Sequence, residues 1–267
     1  MEGNMPTILI SNDDGINSPG LRTVVEAVLP LGEVIIVAPS SQQTSAGRSF
    51  SGAKTESFKP MDYKVGRTIV KAYHCACSPA RAILHAFDVL FHLKKPDLLV
   101  SGVNYGENLG TNVTISGTIG AALQGAAHGV RGLAVSLQTR DMADHFKYPE
   151  LDWTAVRHFA GHFAQLMLTK RLPADVDILN VNVPASATIA TQSKWTRLSR
   201  QPYFSDLIKE PTLLSTIGDA KCCHGFDEKQ LEPDSDIFAF RQGFVTVSPI
   251  SMDLTARVDL NQIQMIR

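Results

Sequence analysis

Thr7-Ile8-Leu9-Ile10-Ser11 runs without a break into Asn12-Asp13-Asp14-Gly15, and this junction decides how the rest of the chain reads. The first part is a short apolar run of the kind that forms a strand buried on both faces. The second puts two adjacent carboxylates at the strand's C-terminal end, with no Lys, Arg or His anywhere between Thr7 and Gly20. Side-by-side aspartates repel one another when both are ionised, and a divalent cation between their oxygens removes that cost. Gly15 permits a tight turn, and Ser18 followed by Pro19 reads as the N-cap and first residue of a helix running to about Leu29. The strand thus delivers the acidic pair to a helix N-terminus, where unpaired N–H groups favour a phosphorylated ligand. Taken alone, the same residues also fit a surface Asp-Gly turn.

Apolar runs recur at Val34–Ala38, Thr68–Tyr73, Asp97–Ser101, Gly132–Leu137, Asp177–Val183 and Gly243–Ser248. Most are continuous rather than alternating, and helical patterns lie between several of them, at about 19–29, 79–93, 117–128 and 152–169. That grammar predicts an α/β fold with a doubly wound, mostly parallel, Rossmann-like sheet. From Pro184 to Asp236 the pattern breaks: Pro202, Pro211 and Pro233 interrupt it, and Trp195–Ile208 mixes aromatic with basic groups. No separate core is visible there, so the segment reads as an extended arm, laid on another subunit or folded back on its own domain. The expected organisation is an α/β core over 1–183, an arm and oligomerisation segment over 184–242, and a strand and tail over 243–267 that complete the core.

A chain of 267 residues, 44% apolar and 19% charged, can bury a sizeable core. With 25 basic and 26 acidic residues its net charge is −1, so no bulk field draws it to a nucleic-acid polymer or an anionic membrane. No apolar stretch approaches the ~20 residues that span a bilayer, and the opening MEGNMPT lacks a signal pattern, which points to the cytoplasm. Cys75 and Cys77 form a CxC and Cys222 and Cys223 a CC, flanked by His74 and His224. A zinc site from these is conceivable, but the spacing matches no usual knuckle, and reduced thiols are the simpler reading.

Two further polar loops follow strand ends, where open α/β sheets bind ligands. One is hydroxyl-rich, Ser40-Ser41-Gln42-Gln43-Thr44-Ser45-Ala46-Gly47-Arg48-Ser49. The other runs from Gly102 through Asn104 and Asn108 to Asn112, with Ser116-Gly117-Thr118 opening a small-residue helix. Singly, each reads as a solvated connection, a tight turn or a helix cap. Together they offer carboxylate, amide and hydroxyl oxygens, hard donors that suit magnesium or manganese. Asn12, Gly15, Asn108, Ser116, Gly117 and Thr118 are the candidates for gripping a phosphate or substrate, with side-chain and helix-terminal donors. None of the eight histidines lies in these loops, which argues against a phosphohistidine. His158 and His162, one helical turn apart, lack the glutamate of a zincin motif and read as a surface pair.

In the order ILISNDDGINSPGL, VIIVAPSSQQTSAGRS, PDLLVSGVNYGENLGTNVTISGTIGAALQGA, LAVSL, ILNVNVP and GFVTVSPIS, these stretches resemble the SurE family of survival proteins. The resemblance implies a metal-dependent nucleotidase that releases phosphate from nucleoside monophosphates, with one divalent ion per subunit. It leaves open 3′-monophosphates and short polyphosphate as substrates. It places the metal ligands on Asp13, Asp14, Thr44 and Asn104, with Asp13 and Asp14 as the catalytic pair, and implies homodimers or homotetramers that exchange C-terminal segments. Position 44 is usually serine in the family; threonine keeps the oxygen but adds a methyl and stiffens χ1, and Ser45 is the adjacent alternative. Other departures are Cys77-Ser78-Pro79-Ala80-Arg81-Ala82 in place of a GTPADC-like turn, Asn112 in place of an acidic residue, and Ile115 in place of an aromatic or histidine.

The implied chemistry is metal-assisted phosphomonoester hydrolysis, with either a water or one of the aspartates as nucleophile. A haloacid-dehalogenase-type phosphatase would need DxD spacing, whereas these aspartates are adjacent. The alternative of a different class is a non-catalytic oligomer that senses nucleotide or phosphate through the same loops.

Overall fold

The first strand, β1 (Thr7–Ser11), lies near the middle of a nine-stranded sheet in the computed structural model, which describes residues 5–92, 94–139 and 148–264. On one side of it follow β2 (Glu33–Pro39), β4 (Thr68–Cys75) and the edge strand β3 (Lys59–Val65). On the other side follow β5 (Leu98–Tyr105), β6 (Gly132–Leu137), β7 (Ile178–Val183), β11 (Val245–Ile250) and β8 (Ser193–Trp195). Neighbours are parallel except β3 with β4 and β11 with β7. The chain winds outward from β1 through β2 to β4 and then returns to β5 on β1's other flank. That reversal creates a crevice at the C-terminal ends of β1 and β5, directly where Asp13 and Asp14 begin.

Both faces of the sheet are covered, which explains the continuous apolar run in β1. Ile8 and Ile10 pack with residues of α1 (Pro19–Val28) and α4 (Thr154–Thr169), whereas Leu9 packs with α2 (Pro79–Ala86) and α3 (Gly117–Ala126). All three strand residues are 0% exposed, each stabilising the fold by about 1.5–3 kcal/mol. Ser18 caps α1, its hydroxyl accepting from the Gly20 N–H at 3.2 Å with Pro19 in the first turn. The helix expected over 79–93 is α2 continued by a single π-helical turn over Phe87–Phe91; Leu93 lies outside the described residues.

Three differences from the sequence expectation bear on the site. β5 extends beyond Ser101 to Tyr105, with a register shift against β6 between Ser101 and Asn104. Asn104 therefore stands on a strand end rather than in a loop. Edge strand β3 was not expected, because in KPMDYKV only Tyr63 and Val65 are buried. The arm also has a core after all. β8 joins the main sheet, and a hairpin of β9 (Phe204–Leu207) and β10 (Lys221–His224) precedes the short helix α5 (Asp236–Arg241). Tyr203, Ile237 and Phe240 bury against Leu109, with Phe226 and Leu231 packed alongside. These residues are scattered in sequence and meet only when the chain folds back on the Gly106–Gly110 loop. The last helix, α6 (Leu260–Gln264), is exposed. Among the described residues no helix is long and apolar enough to cross a membrane.

Candidate active site

Asp13 and Asp14 leave the end of β1 and enter the switch-point crevice nearly buried, 6% and 5% exposed. Asp13 is held against the N-terminus of α3. The Thr118 hydroxyl donates to Asp13 Oδ1 at 2.5 Å, and the backbone N–H groups of Gly117 and Thr118 donate to the same carboxylate. A Cβ at position 117 would lie 2.8 Å from Asp13 Oδ2, so this approach requires glycine. Asp14 accepts from the Tyr105 N–H and from Gln42 Nε2, both at 3.2 Å, and its carbonyl accepts from the Tyr148 hydroxyl.

Burial pushes both carboxyls above the usual range, and for Asp14 the neighbouring charge of Asp13 adds to it. Among the described residues no Lys, Arg or His pairs with either aspartate. Two buried carboxylates without a countercharge form an arrangement that a divalent cation completes.

A cleft of about 450 Å³ opens over the pair. Asp13, Asp14, Thr44, Asn104, Asn108 and Ser116 all line it, and Ser45 does so beside Thr44. The Asn104 amide nitrogen donates to the carbonyls of Gly106 at 2.6 Å and Tyr105 at 3.3 Å, which fixes its oxygen as the acceptor left for a ligand. Carboxylates, a hydroxyl and an amide oxygen in one cleft form a donor set that fits a hard divalent ion. Among the described residues no group of three or more His, Cys, Asp or Glu could hold a metal, so the HCAC and CCH segments form no zinc cluster.

Ser116 caps α3, its hydroxyl oxygen accepting from the Ile119 N–H at 3.2 Å, which leaves its proton free for a ligand. Asn108 is locked from behind: Asn180 and Asn182 donate to its carbonyl, Asn182 accepts from its N–H, and its amide nitrogen donates to Ser136. The other candidates lie behind the wall. The Asn12 side chain closes the turn by bonding both the carbonyl and the N–H of Gly15, and Gly15 has φ +98° with Ser41 backbone close by. Gly117 and Thr118 face Asp13.

Several lining residues escaped the sequence reading. Tyr105 and Glu107 lie inside the quoted SGVNYGENLG run, but nothing in their type set them apart there. Glu107 is 6% exposed and hydrogen-bonds Gln138 and Tyr203; burial raises its carboxyl's pKa. Phe204, Ser205, Asp206 and Cys222 reach the cleft from the arm's hairpin, which no local pattern announces. Asn112 clamps that hairpin. Its Oδ1 accepts from the N–H groups of Tyr203 and Phe204 at 2.7 and 2.8 Å, and its amide nitrogen donates to the Phe204 carbonyl at 3.1 Å.

Fold and cleft together define a class: doubly wound α/β proteins with an oxygen-lined, cation-seeking crevice at the switch point. Comparison with known proteins narrows it. The family described as Survival protein SurE matches residues 8–205, and the chain belongs to that family. It is 37% identical to the 5'-nucleotidase SurE of Methanothrix thermoacetophila over 97% of each chain. It is 43% identical to that of Methanocella arvoryzae over 73% of each. The crystal structure of the SurE protein from Aquifex aeolicus superposes with a TM-score of 0.75 at 27% identity, covering 98% of both chains.

Proposed function

We propose that this protein is a metal-dependent phosphomonoesterase, a 5'-nucleotidase that hydrolyses nucleoside monophosphates to nucleoside and phosphate. The observation that carries this reading is the buried Asp13–Asp14 pair, without a countercharge among the described residues, sharing one cleft with Thr44 and Asn104. The names of the curated relatives agree with it. Asp13, Asp14, Asn104 and the hydroxyl of Thr44, or its neighbour Ser45, would hold one magnesium or manganese ion. Such an ion supplies Lewis acidity toward a phosphate oxygen and lowers the pKa of a water.

The protein's own residues do the positioning. Thr118 and the start of α3 keep Asp13 from rotating, and the Tyr105 N–H does the same for Asp14. The Ser116 hydroxyl and the Asn108 amide donate to phosphate oxygens as charge grows on them in the transition state. Ile115 and Phe204 add apolar surface to the same cleft, against which a nucleoside would lie. Asn12, Gly15 and Gly117 shape the backbone that makes this possible.

The test is a panel of phosphorylated metabolites assayed with magnesium and with manganese. Phosphate release from nucleoside 5'-monophosphates that stops with chelator and returns with metal is expected. Nucleotide binding without turnover would favour the sensing oligomer instead.

The wall's role has its own prediction. Removing the clamp with Asn112→Ala leaves two backbone N–H groups without their acceptor, at about 1–3 kcal/mol each. KM for a nucleotide is expected to rise roughly tenfold, while turnover of p-nitrophenyl phosphate, which lacks the nucleoside, changes little.

The proposal includes a homodimer or homotetramer with exchanged C-terminal segments. Leu207, Leu213, Leu214 and Ile217 at the hairpin's outer end are 62%, 106%, 91% and 96% exposed, an apolar patch that association would cover. Light scattering should give at least twice the monomer mass, and a strict monomer would refute the exchange.

A further inference from the structure

β4 ends at Cys75 and the chain turns back at once, the Cys77 N–H donating to the Cys75 carbonyl at 3.0 Å. This three-residue turn brings the two side chains together. Their sulfurs lie 2.7 Å apart, against about 2.05 Å in a formed disulfide. Both thiols are free and buried, 3% and 6% exposed. They are not sealed, because both line a separate cavity of about 100 Å³ shared with Lys54, Glu56, Arg81 and His85. That space admits a molecule the size of a peroxide, and its wall sets the Arg81 guanidinium, which favours a thiolate on Cys77, against the Glu56 carboxylate, which disfavours one on either sulfur. The hydrogen bond between the two thiols lowers the pKa of Cys75 and raises that of Cys77, so the thiolate falls on Cys75.

We propose that Cys75 and Cys77 are a reversible disulfide site, oxidised by peroxides that enter this cavity. The Cys75 thiolate attacks one peroxide oxygen, the O–O bond breaks, Cys75 becomes a sulfenic acid, and the departing hydroxide takes up the proton the thiol had released and leaves as water. The Cys77 sulfur then attacks the sulfenic sulfur, its proton leaving with the hydroxyl as a second water. In sum, two thiols and one hydrogen peroxide give one disulfide and two waters, the thiols losing two electrons to the peroxide. A bond across a single intervening residue closes a small ring of the labile kind that dithiols reduce.

The site lies at the root of the loop that carries Thr44 and Ser45. The Ser40 N–H donates to the Cys75 carbonyl at 2.8 Å at one end of that loop. At the other end Gly52 bridges to Cys77, and Ser51 exchanges hydrogen bonds with Ser78.

Trypsin isolates the pair, since the peptide Ala72–Arg81 contains Cys75 and Cys77 and no other cysteine. After brief treatment of the folded protein with hydrogen peroxide, this peptide should weigh two hydrogens less and resist alkylation, and dithiothreitol should restore both properties. In Cys77→Ser the two-hydrogen loss should vanish and a sulfenic acid on Cys75 should be trapped by dimedone. Two thiols that stay alkylatable in the wild-type protein, or that end as separate sulfinic acids, would overturn the proposal.

Discussion

Asp14→Asn is expected to lower phosphate release by about 10³-fold or more while leaving the fold at least as stable as before. Two effects separate here because the aspartate serves binding at the expense of stability. Asp14 is 5% exposed beside a second carboxylate, and both its burial and the charge of Asp13 disfavour its ionised form. Asparagine removes that buried charge and one of the hard oxygens together. It keeps an acceptor for the Tyr105 N–H, so the backbone of β5 loses nothing. Thermal melts in chelator should show an unchanged or raised midpoint, and assays with manganese should show the loss. A variant that unfolds would contradict the stability half of this account, and unchanged turnover would contradict the site.

Thr118→Val tests how the first aspartate is held. Valine keeps the shape but removes the donor at 2.5 Å from Asp13 Oδ1, leaving the α3 backbone N–H groups to orient the carboxylate alone. Partners that orient a metal ligand are worth about 10–100-fold in affinity or activity, and a loss in that range is expected in a manganese titration. Thr118→Ser restores the hydroxyl and should restore the affinity. If Thr118 instead bound phosphate directly, KM would rise in Thr118→Val with metal affinity unchanged.

The parts of the fold legible in the sequence were those with one cause. β1, β2 and β6 sit between two helical layers, so each is apolar at nearly every buried position and a continuous run follows, whereas β7 carries buried Asn180 and Asn182 that bond Asn108. Ser18-Pro19 marks a helix start for reasons that are wholly local. β3 depends instead on its neighbour: as an edge strand it buries only Tyr63 and Val65, too few to leave a pattern. The arm's small core is assembled from Leu109, Tyr203, Ile237 and Phe240, whose contacts exist only after the chain has returned to the main domain.

The site divides in the same way. Asp13, Asp14, Thr44, Asn108 and Ser116 follow, and Asn104 ends, the neighbouring strands β1, β2 and β5, and sheet topology brings such strand ends to one crevice. What the sequence did not show was which side each residue faces. Gly117 and Thr118 belong to the same short motif as Ser116, yet one helical turn directs them to Asp13 and Ser116 to the cleft. Phe204 and Asp206 reach the cleft through the fold-back of the arm, which has no periodic signature.

The most direct test of the central claim is the anomalous difference map of a crystal grown with manganese. One ion per subunit between the carboxylates of Asp13 and Asp14, within reach of Asn104 and of the hydroxyl at position 44 or 45, is the result this account predicts. Manganese bound elsewhere with the cleft empty would contradict it.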